Sequence, residues 1–453
     1  MLRVSLALPI AVAEWATTTT STAAELRVPS DYPTIQAAVD ASSNGDTIHI
    51  APGIYPAQVK IISKKLAIKG QPGTILRATK EMKHFSEGAG GGPGHIPVMF
   101  AYLSEVSVRN VTFEGEHLAG EFTGDGDTLG LYFLRSTGDV ENCTFYGFRE
   151  STPGPRYAGS LWFLSSGADH VTARVAGCTF ADNYESIFLR SEDAIGQNIT
   201  ATIENNTIIG PGPVGTGANF AGIGIAAGVG GVVRGNTIEG YSYVNGPSLF
   251  PMLWGILAAD GPPFLPLSPL VIENNTLRDN QLHITLLKAD NSVVRNNRIQ
   301  GTAPGLEPVG ILASGENVTI AENQLENTPE GIRLLGKNPL PIAFPDFGDG
   351  LGFAVDARVT GNRFCNVAIP VNVQTSATAT VQDTKVDACS SRPLAIESAV
   401  LLSWPGDEEG WTVEWATSLN GPWTASPATV FLQNQRHSVS VPSAAESRFY
   451  RLR

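Results

Sequence analysis

Ile272-Glu-Asn-Asn-Thr-Leu277 is followed 22 residues later by Val294-Arg-Asn-Asn-Arg-Ile299, and this pair decides the architecture. Each is a copy of one pattern: an aliphatic residue, two polar or small positions, usually Asn, a spacer, then a second apolar residue. Earlier copies start at Val108, Val140, Val175, Ile203 and Val233, and later ones at Ile320, Val359 and, more weakly, Val381. Neighbouring copies lie about 22 to 39 residues apart, the period of one coil of a solenoid. A unit that short buries no core alone, so stacking must supply one.

Asn206, Asn236, Asn275, Asn297, Asn323 and Asn362 share the fourth position. Parallel strands stack about 4.8 Å apart, so identical amides can hydrogen-bond along the column and tolerate the tight turn where the coil changes direction. An asparagine ladder is therefore expected. A second strand runs between motifs: Gly130 to Leu134, Ser160 to Leu164, Ser186 to Arg190, Gly255 to Ala259, Gly310 to Ser314 and Gly331 to Leu335. Alternation puts Leu131, Ile187, Ile256, Ile311 and Ile332 inside, with Tyr132, Trp162, Phe188, Leu257, Leu312 and Arg333 outside.

Over roughly residues 25 to 390 the chain resembles the right-handed parallel β-helix of the pectin-lyase-like superfamily, and the handedness is implied by that resemblance alone. The segment Tyr32-Pro-Thr-Ile-Gln-Ala-Ala-Val-Asp40, then Gly45-Asp-Thr-Ile-His-Ile50 and Pro52-Gly-Ile-Tyr55, is similar to the opening of many such proteins, pectin methylesterases included. Ile35, Ala38 and Val39 fall on one helical face, so a short helix is expected to plug the end of the solenoid. The fold class is thus all-β: a solenoid with a short N-terminal capping helix, followed by a small β-domain.

The chain has 453 residues, 48 of them Gly and 30 Pro, with a net charge of −13. An acidic pI near 5.0 argues against nucleic acid or an anionic membrane surface as main partner, while a local Arg or Lys cluster leaves an acidic glycan possible. No run of about 18 apolar residues exists, so no membrane span is expected. Met1-Leu-Arg followed by apolar Val4 to Ala13 reads as a secretory signal over residues 1–24, and export to the medium or the cell surface follows from it. A disordered tail is the rival reading. Sequons such as Asn110-Val-Thr arise from the repeat itself.

Cys143 and Cys178 share the ladder position on successive copies and are read as two packed thiols, because side chains stacked in parallel point the same way. Cys365 and Cys389, a coil apart, are the better disulfide candidate. From about residue 391 the pattern changes. Ser398 to Trp404, Trp411 to Trp415, His437 to Val441 and Arg448 to Leu452 alternate apolar and polar residues between Gly, Pro and Asn turns. This segment, 391–453, resembles the fibronectin-type-III-like modules that end many secreted bacterial proteins, implying a small antiparallel β-sandwich used as spacer, anchor or export-associated tail. Four of the seven Trp lie here, read as core residues with a sugar platform as the alternative.

In this superfamily a groove beside one sheet usually binds polysaccharide, which makes polysaccharide the expected partner. Tyr132, Trp162 and Phe188, outward on successive coils, are read as a substrate-binding column or as a satellite core under an inserted loop. Around them lie Glu114, Glu116, His117, Glu121, Asp125 and Asp127, then Asp182 and Glu185, then Arg190. Asp125, Asp127, Asp182, Glu185 and Arg190 are the candidate catalytic set. Paired carboxylates do acid and base work in glycoside hydrolysis, and an arginine neutralises a uronate so that a base can take the neighbouring proton. Asp125 and Asp127, in Gly124-Asp-Gly-Asp-Thr128, are spaced like oxygen ligands of Ca²⁺ but lack the carboxylates of a full loop, and an Asx turn is the simpler reading.

The motif sets of pectin methylesterases and polygalacturonases are absent, as is the Asp-Pro-Tyr of alginate epimerases, of which Asp182-Asn-Tyr184 is a loose echo. Three functions stay open. A carbohydrate-active enzyme, a lyase or a glycoside hydrolase, predicts carboxylates converging in the groove. A glycan-binding protein predicts exposed aromatics without them, and a structural or adhesive rod predicts neither.

Overall fold

In the computed structural model the described residues are 23–85, 94–119, 128–151, 158–165, 170–191, 197–214, 220–243, 253–259, 267–301, 309–337 and 352–387, with six strands between 399 and 452. Most of the signal segment, Asp125, Asp127 and Cys389 fall outside them. Contacts divide the chain into two compact units, Met1–Asp387 and Ala388–Arg453.

The first unit is a solenoid of three parallel sheets with 13, 12 and 11 described strands. Each coil contributes one strand to each sheet in turn. Val140–Val175, Phe145–Phe180 and Leu131–Leu161 are register pairs on the thirteen-, twelve- and eleven-strand sheets. The strands are short because each inward side chain needs only one level of core. Inside the eleven-strand sheet one row runs Leu131, Leu161, Ile187, Ile223, Ile256, Ile284, Ile311, Ile332. All eight are fully buried, each contributing about 2 kcal/mol by area. The strands Phe220–Ile225 and Leu282–Leu286 belong to this row although Gly222 and His283 disguise them in the sequence. Aromatic rings stack the same way, Phe113 on Phe145 at 4.8 Å and Phe145 on Phe180 at 4.9 Å.

The expected ladder forms. The Asn206 backbone N–H and Nδ2 both donate to Asn236 Oδ1, at 3.0 and 2.9 Å, while Nδ2 also donates to Val175 O. Asn236, Asn275, Asn297 and Asn323 repeat this arrangement down to Asn362. Cys143 and Cys178 continue the column as free, buried thiols. Hydrogen bonding to Cys178, then burial, holds the Cys143 thiol well above its ordinary range. The third motif position explains the other Asn and Gly residues. Asn142, Asn205, Asn274 and Asn296 have φ between 54° and 56°, and Gly177, Gly235 and Gly361 between 61° and 65°, the left-handed region where these residues are least strained.

The helix Ile35–Ala41 forms with Thr34 as N-cap, its Oγ1 accepting from Ala37 N at 3.1 Å, and buries Ile35, Ala38 and Val39. Cys365 is disulfide-bonded. The second unit contains two three-stranded antiparallel sheets. One orders Ala399–Pro405, Arg436–Pro442 and Phe431–Gln433; the other orders Thr424–Ala425, Val413–Ala416 and Phe449–Leu452. No helix among the described residues is long and apolar enough to cross a membrane.

Candidate functional site

Where the chain leaves the twelve-strand sheet for the eleven-strand sheet, three successive coils form a crest. The row Glu114, Tyr146, Ala181 ends the strands below it. Above it the coils are stitched by Gly115 N–H donating to Tyr146 O at 2.8 Å and His117 N–H to Gly147 O at 3.0 Å. Glu116, His117 and Asp182 all take positive φ, between 53° and 56°, which turns their side chains onto the crest. Gly147 takes φ 73° there, in the left-handed region that favours glycine, and a Cβ would press to 3.2 Å from His117 Nε2.

Asp182 is the centre of the cluster. Its Oδ2 lies 2.8 Å from His117 Nε2, and its Oδ1 accepts from Arg149 Nε at 2.6 Å. Arg149 Nη1 also donates to Glu150 O at 2.9 Å. Asn183 fixes the turn, accepting from Phe148 N–H at 2.9 Å and donating to Phe145 O at 3.0 Å. Next to it Arg77 bridges Glu114 at 2.7 Å and Glu116 at 3.0 Å. The Tyr146 ring stands edge-on to His117 at 5.9 Å. Burial, then the charge of Asp182, pushes its phenol up to about 12, so it stays protonated through neutral pH.

With Nε2–H directed at Asp182, the neutral imidazole keeps Nδ1 as its acceptor. His117 retains 23% of its side-chain exposure while Asp182 is buried, so the ring can exchange a proton with something outside while its carboxylate partner cannot. The arrangement is therefore an oriented imidazole whose carboxylate partner is also bonded by an arginine.

Of the five expected catalytic residues, Asp182 and Glu185 lie on this crest and Asp125 and Asp127 fall outside the described residues. Glu185 is buried, with Oε1 leaning over Gly224, where a Cβ would come within 3.0 Å. Its charge and that of Asp182 reach the buried Tyr241 phenol, raised first by burial, whose OH lies 2.8 Å from Ser186 Oγ. Arg190 is exposed, five residues along the same strand, about 16 Å from Glu185. The arginine beside the carboxylate is instead Arg149, which the sequence reading missed. The signal for it exists: His117 and Arg149 each lie six residues after their ladder position, Val111 and Cys143, so stacking makes them neighbours.

Tyr132, Trp162 and Phe188 do stack in register on the outward face. They are not an open ledge. Tyr132 and Trp162 are 2% and 6% exposed, in a satellite cluster with Phe100, Leu129, Leu134 and Leu164. Outward is not the same as exposed here, because Phe85 and His95 pair across this face and His95 packs edge-on at 5.1 Å from Tyr132 and 5.3 Å from Trp162. No group of three or more His, Cys, Asp or Glu among the described residues is arranged to hold a metal.

Among solved structures, the chain is similar to a PL6 alginate lyase in complex with a trisaccharide: 15% identity, 80% of this chain and 85% of that one, TM-score 0.48. A DFA-IIIase of Arthrobacter chlorophenolicus A6, without its lid and in complex with GF2, matches at 14% identity, 80% and 95% coverage and TM-score 0.43. A polygalacturonase from Erwinia carotovora ssp. carotovora matches at 12% identity, 81% and 97% coverage and TM-score 0.39. No curated protein matches the chain. Residues 162–343 match the family described as "Right handed beta helix region", and the solenoid that carries this segment is a right-handed parallel β-helix.

Proposed function

We propose that the protein is a carbohydrate-active enzyme, a lyase or a glycoside hydrolase, acting on an extracellular polysaccharide laid along the solenoid at the crest. One observation carries this reading: His117, held by a buried Asp182 that also accepts from Arg149, with the protonated Tyr146 phenol beside it. Cleavage of a glycosidic bond needs a proton moved at the leaving oxygen, and His117 is the crest residue built to move one. An ion cluster that only stitched coils together would gain nothing from leaving an imidazole edge in water.

The remaining parts of the reading follow the same logic. The N-terminal segment directs export, and the helix Ile35–Ala41 closes the first coil against edge-to-edge pairing. The two antiparallel sheets of the second unit pack as a fibronectin-type-III-like sandwich that spaces or anchors the enzyme.

The test is a screen of the purified chain, with and without Ca²⁺, for reducing ends and for ultraviolet-absorbing unsaturated products. His117→Ala should lower turnover by about 10² to 10⁴ in a chain that still folds, as its far-ultraviolet circular dichroism would show. Cleavage that survives His117→Ala, or no cleavage of any polysaccharide, rejects the reading.

A further inference from the structure

The first coils lack the asparagine ladder, and a hollow stands at the corner where it would begin. After His49 the chain runs Ile50-Ala51-Pro52-Gly53, and after Lys69 it runs Gly70-Gln71-Pro72-Gly73, with no Asn at either turn. Thr74 takes over part of the ladder's work: its Oγ1 accepts from Gln71 N–H and donates to Ile50 O, at 3.0 Å each. The hollow, about 200 Å³ in volume, is bordered by Arg27, Ser30, His49 and Gln71, with Pro29 and Ala51 as its apolar side. Arg27, His49 and Lys69 pair in register on three neighbouring strands of the thirteen-strand sheet, so the hollow lies at a different corner of the coil from the crest.

Its polar groups are open to solvent and available. The Arg27 side chain is 62% exposed, and its guanidinium makes no hydrogen bond among the described residues. Asp31 Oδ2 stands 4.0 Å from it with both carboxylate oxygens occupied, Oδ2 by Arg27 N–H at 3.0 Å and Oδ1 by Ser30 Oγ at 3.2 Å. Gln71 is exposed, and its side-chain amide likewise bonds to none of the described residues. His49, 34% exposed, turns Nε2 to Glu25 and keeps Nδ1 as an acceptor. Two cations, Arg27 and Lys69, meet two acids, Glu25 and Asp31, so the hollow has no surplus charge with which to hold phosphate, sulfate or a polyanion.

We propose that the hollow binds a hydroxylated monocarboxylate, the class that includes the uronic acids, with Arg27 on the carboxylate and Gln71 and His49 on the hydroxyls. A guanidinium holds a carboxylate through two parallel N–H groups, a contact that needs no excess of positive charge around it. Amide and imidazole beside it suit hydroxyls, which give and accept at once. About 200 Å³ is the liquid share of about seven waters, room for one sugar ring whose carbons lie against Pro29 and Ala51. The site is separate from the crest and stands whether or not the crest cleaves. A free sugar acid and the end of an acidic glycan offer it the same chemistry.

Saturation-transfer NMR on the full chain compares glucuronate and galacturonate with trigalacturonate, glucose and inorganic sulfate. Both free uronates should bind saturably, and glucose at the same concentration should not. Arg27→Gln, at an exposed position, should raise the uronate Kd about tenfold or more, and Gln71→Ala about three- to fivefold. His117→Ala should leave it unchanged, which keeps this site apart from the crest. A trimer that binds tighter than the free acids supports a glycan end as the ligand, and equal binding supports the free acid. Binding that survives Arg27→Gln and disappears in His117→Ala assigns the uronate to the crest and overturns the inference. No uronate binding, or displacement by equimolar sulfate, overturns it as well and leaves the reading of the crest untouched.

Discussion

Asn297 accepts two hydrogen bonds on one oxygen, from the backbone N–H and Nδ2 of Asn275 at 3.0 Å each, inside a fully buried turn. Asn297→Ala strands both donors, and with about 1 to 3 kcal/mol for each unmet buried group the loss should be roughly 2 to 5 kcal/mol in urea unfolding. A loss under about 1 kcal/mol would show that the ladder merely follows the coil. His283 is a different case at the same scale. It sits fully buried between Gly255 and Gly310 of the neighbouring coils, with Nε2 against Gly301 O and Nδ1 3.4 Å from the Asn280 amide, so both nitrogens are used in the neutral form. Burial pushes its pKa down to about 4 from an ordinary 6.5. Between those values the unfolded chain binds a proton that the fold refuses. Stability is therefore lost as pH falls from 6.5 to about 4, by about 3 kcal/mol in all. Comparing unfolding midpoints at pH 7 and 4.5 for the wild type and His283→Ser checks this: the variant should lose less on acidification.

At the scale of strands, the outer face of the thirteen-strand sheet carries a chain of ion pairs that crosses coils. Arg109 meets Asp139 at 3.1 Å, Asp139 meets Arg174 at 2.8 Å, and Arg174 meets Glu204 at 3.2 Å, with Arg234 on the far side of Glu204 at 2.6 Å. These groups are partly exposed, so Arg174→Ala should cost only about 1 kcal/mol at low salt, and most of that cost should vanish in 1 M NaCl. An undiminished cost at high salt would mean that the arginine acts through packing. The strands themselves were legible in the chain because period and alternation are properties of neighbours in sequence. Ile256 and Ile311 could be called inward from two residues either side. The crest was legible only in part, since His117 and Asp182 are 65 residues apart and meet through stacking of irregular turns. Tyr132 and Trp162 were correctly called outward, yet what closes over them is the Phe85–His95 pair, whose path no periodicity encodes.

For the whole solenoid, each coil touches little beyond the coil before and the coil after it, so protection from exchange should depend on distance from the ends. The last described coil shows the reason: Ile369, Val373, Val381 and Val386 are 42% exposed or more, where their counterparts one coil earlier are buried. Amide exchange followed by mass spectrometry should find the strands around Ile203 and Ile272 slowest and those of Ile369–Asp387 much faster. Uniform protection along the axis would indicate all-or-none unfolding. The ladder has a last implication. Because Asn275, Asn297 and Asn323 offer the same amide in the same place, a gene that lost the stretch coding for residues 276–297 would bring Asn275 against Asn323 with its bonds intact. Such a molecule can change length by copying error without inventing a new interface, and its lineage is free to shorten or extend wherever no site depends on the count.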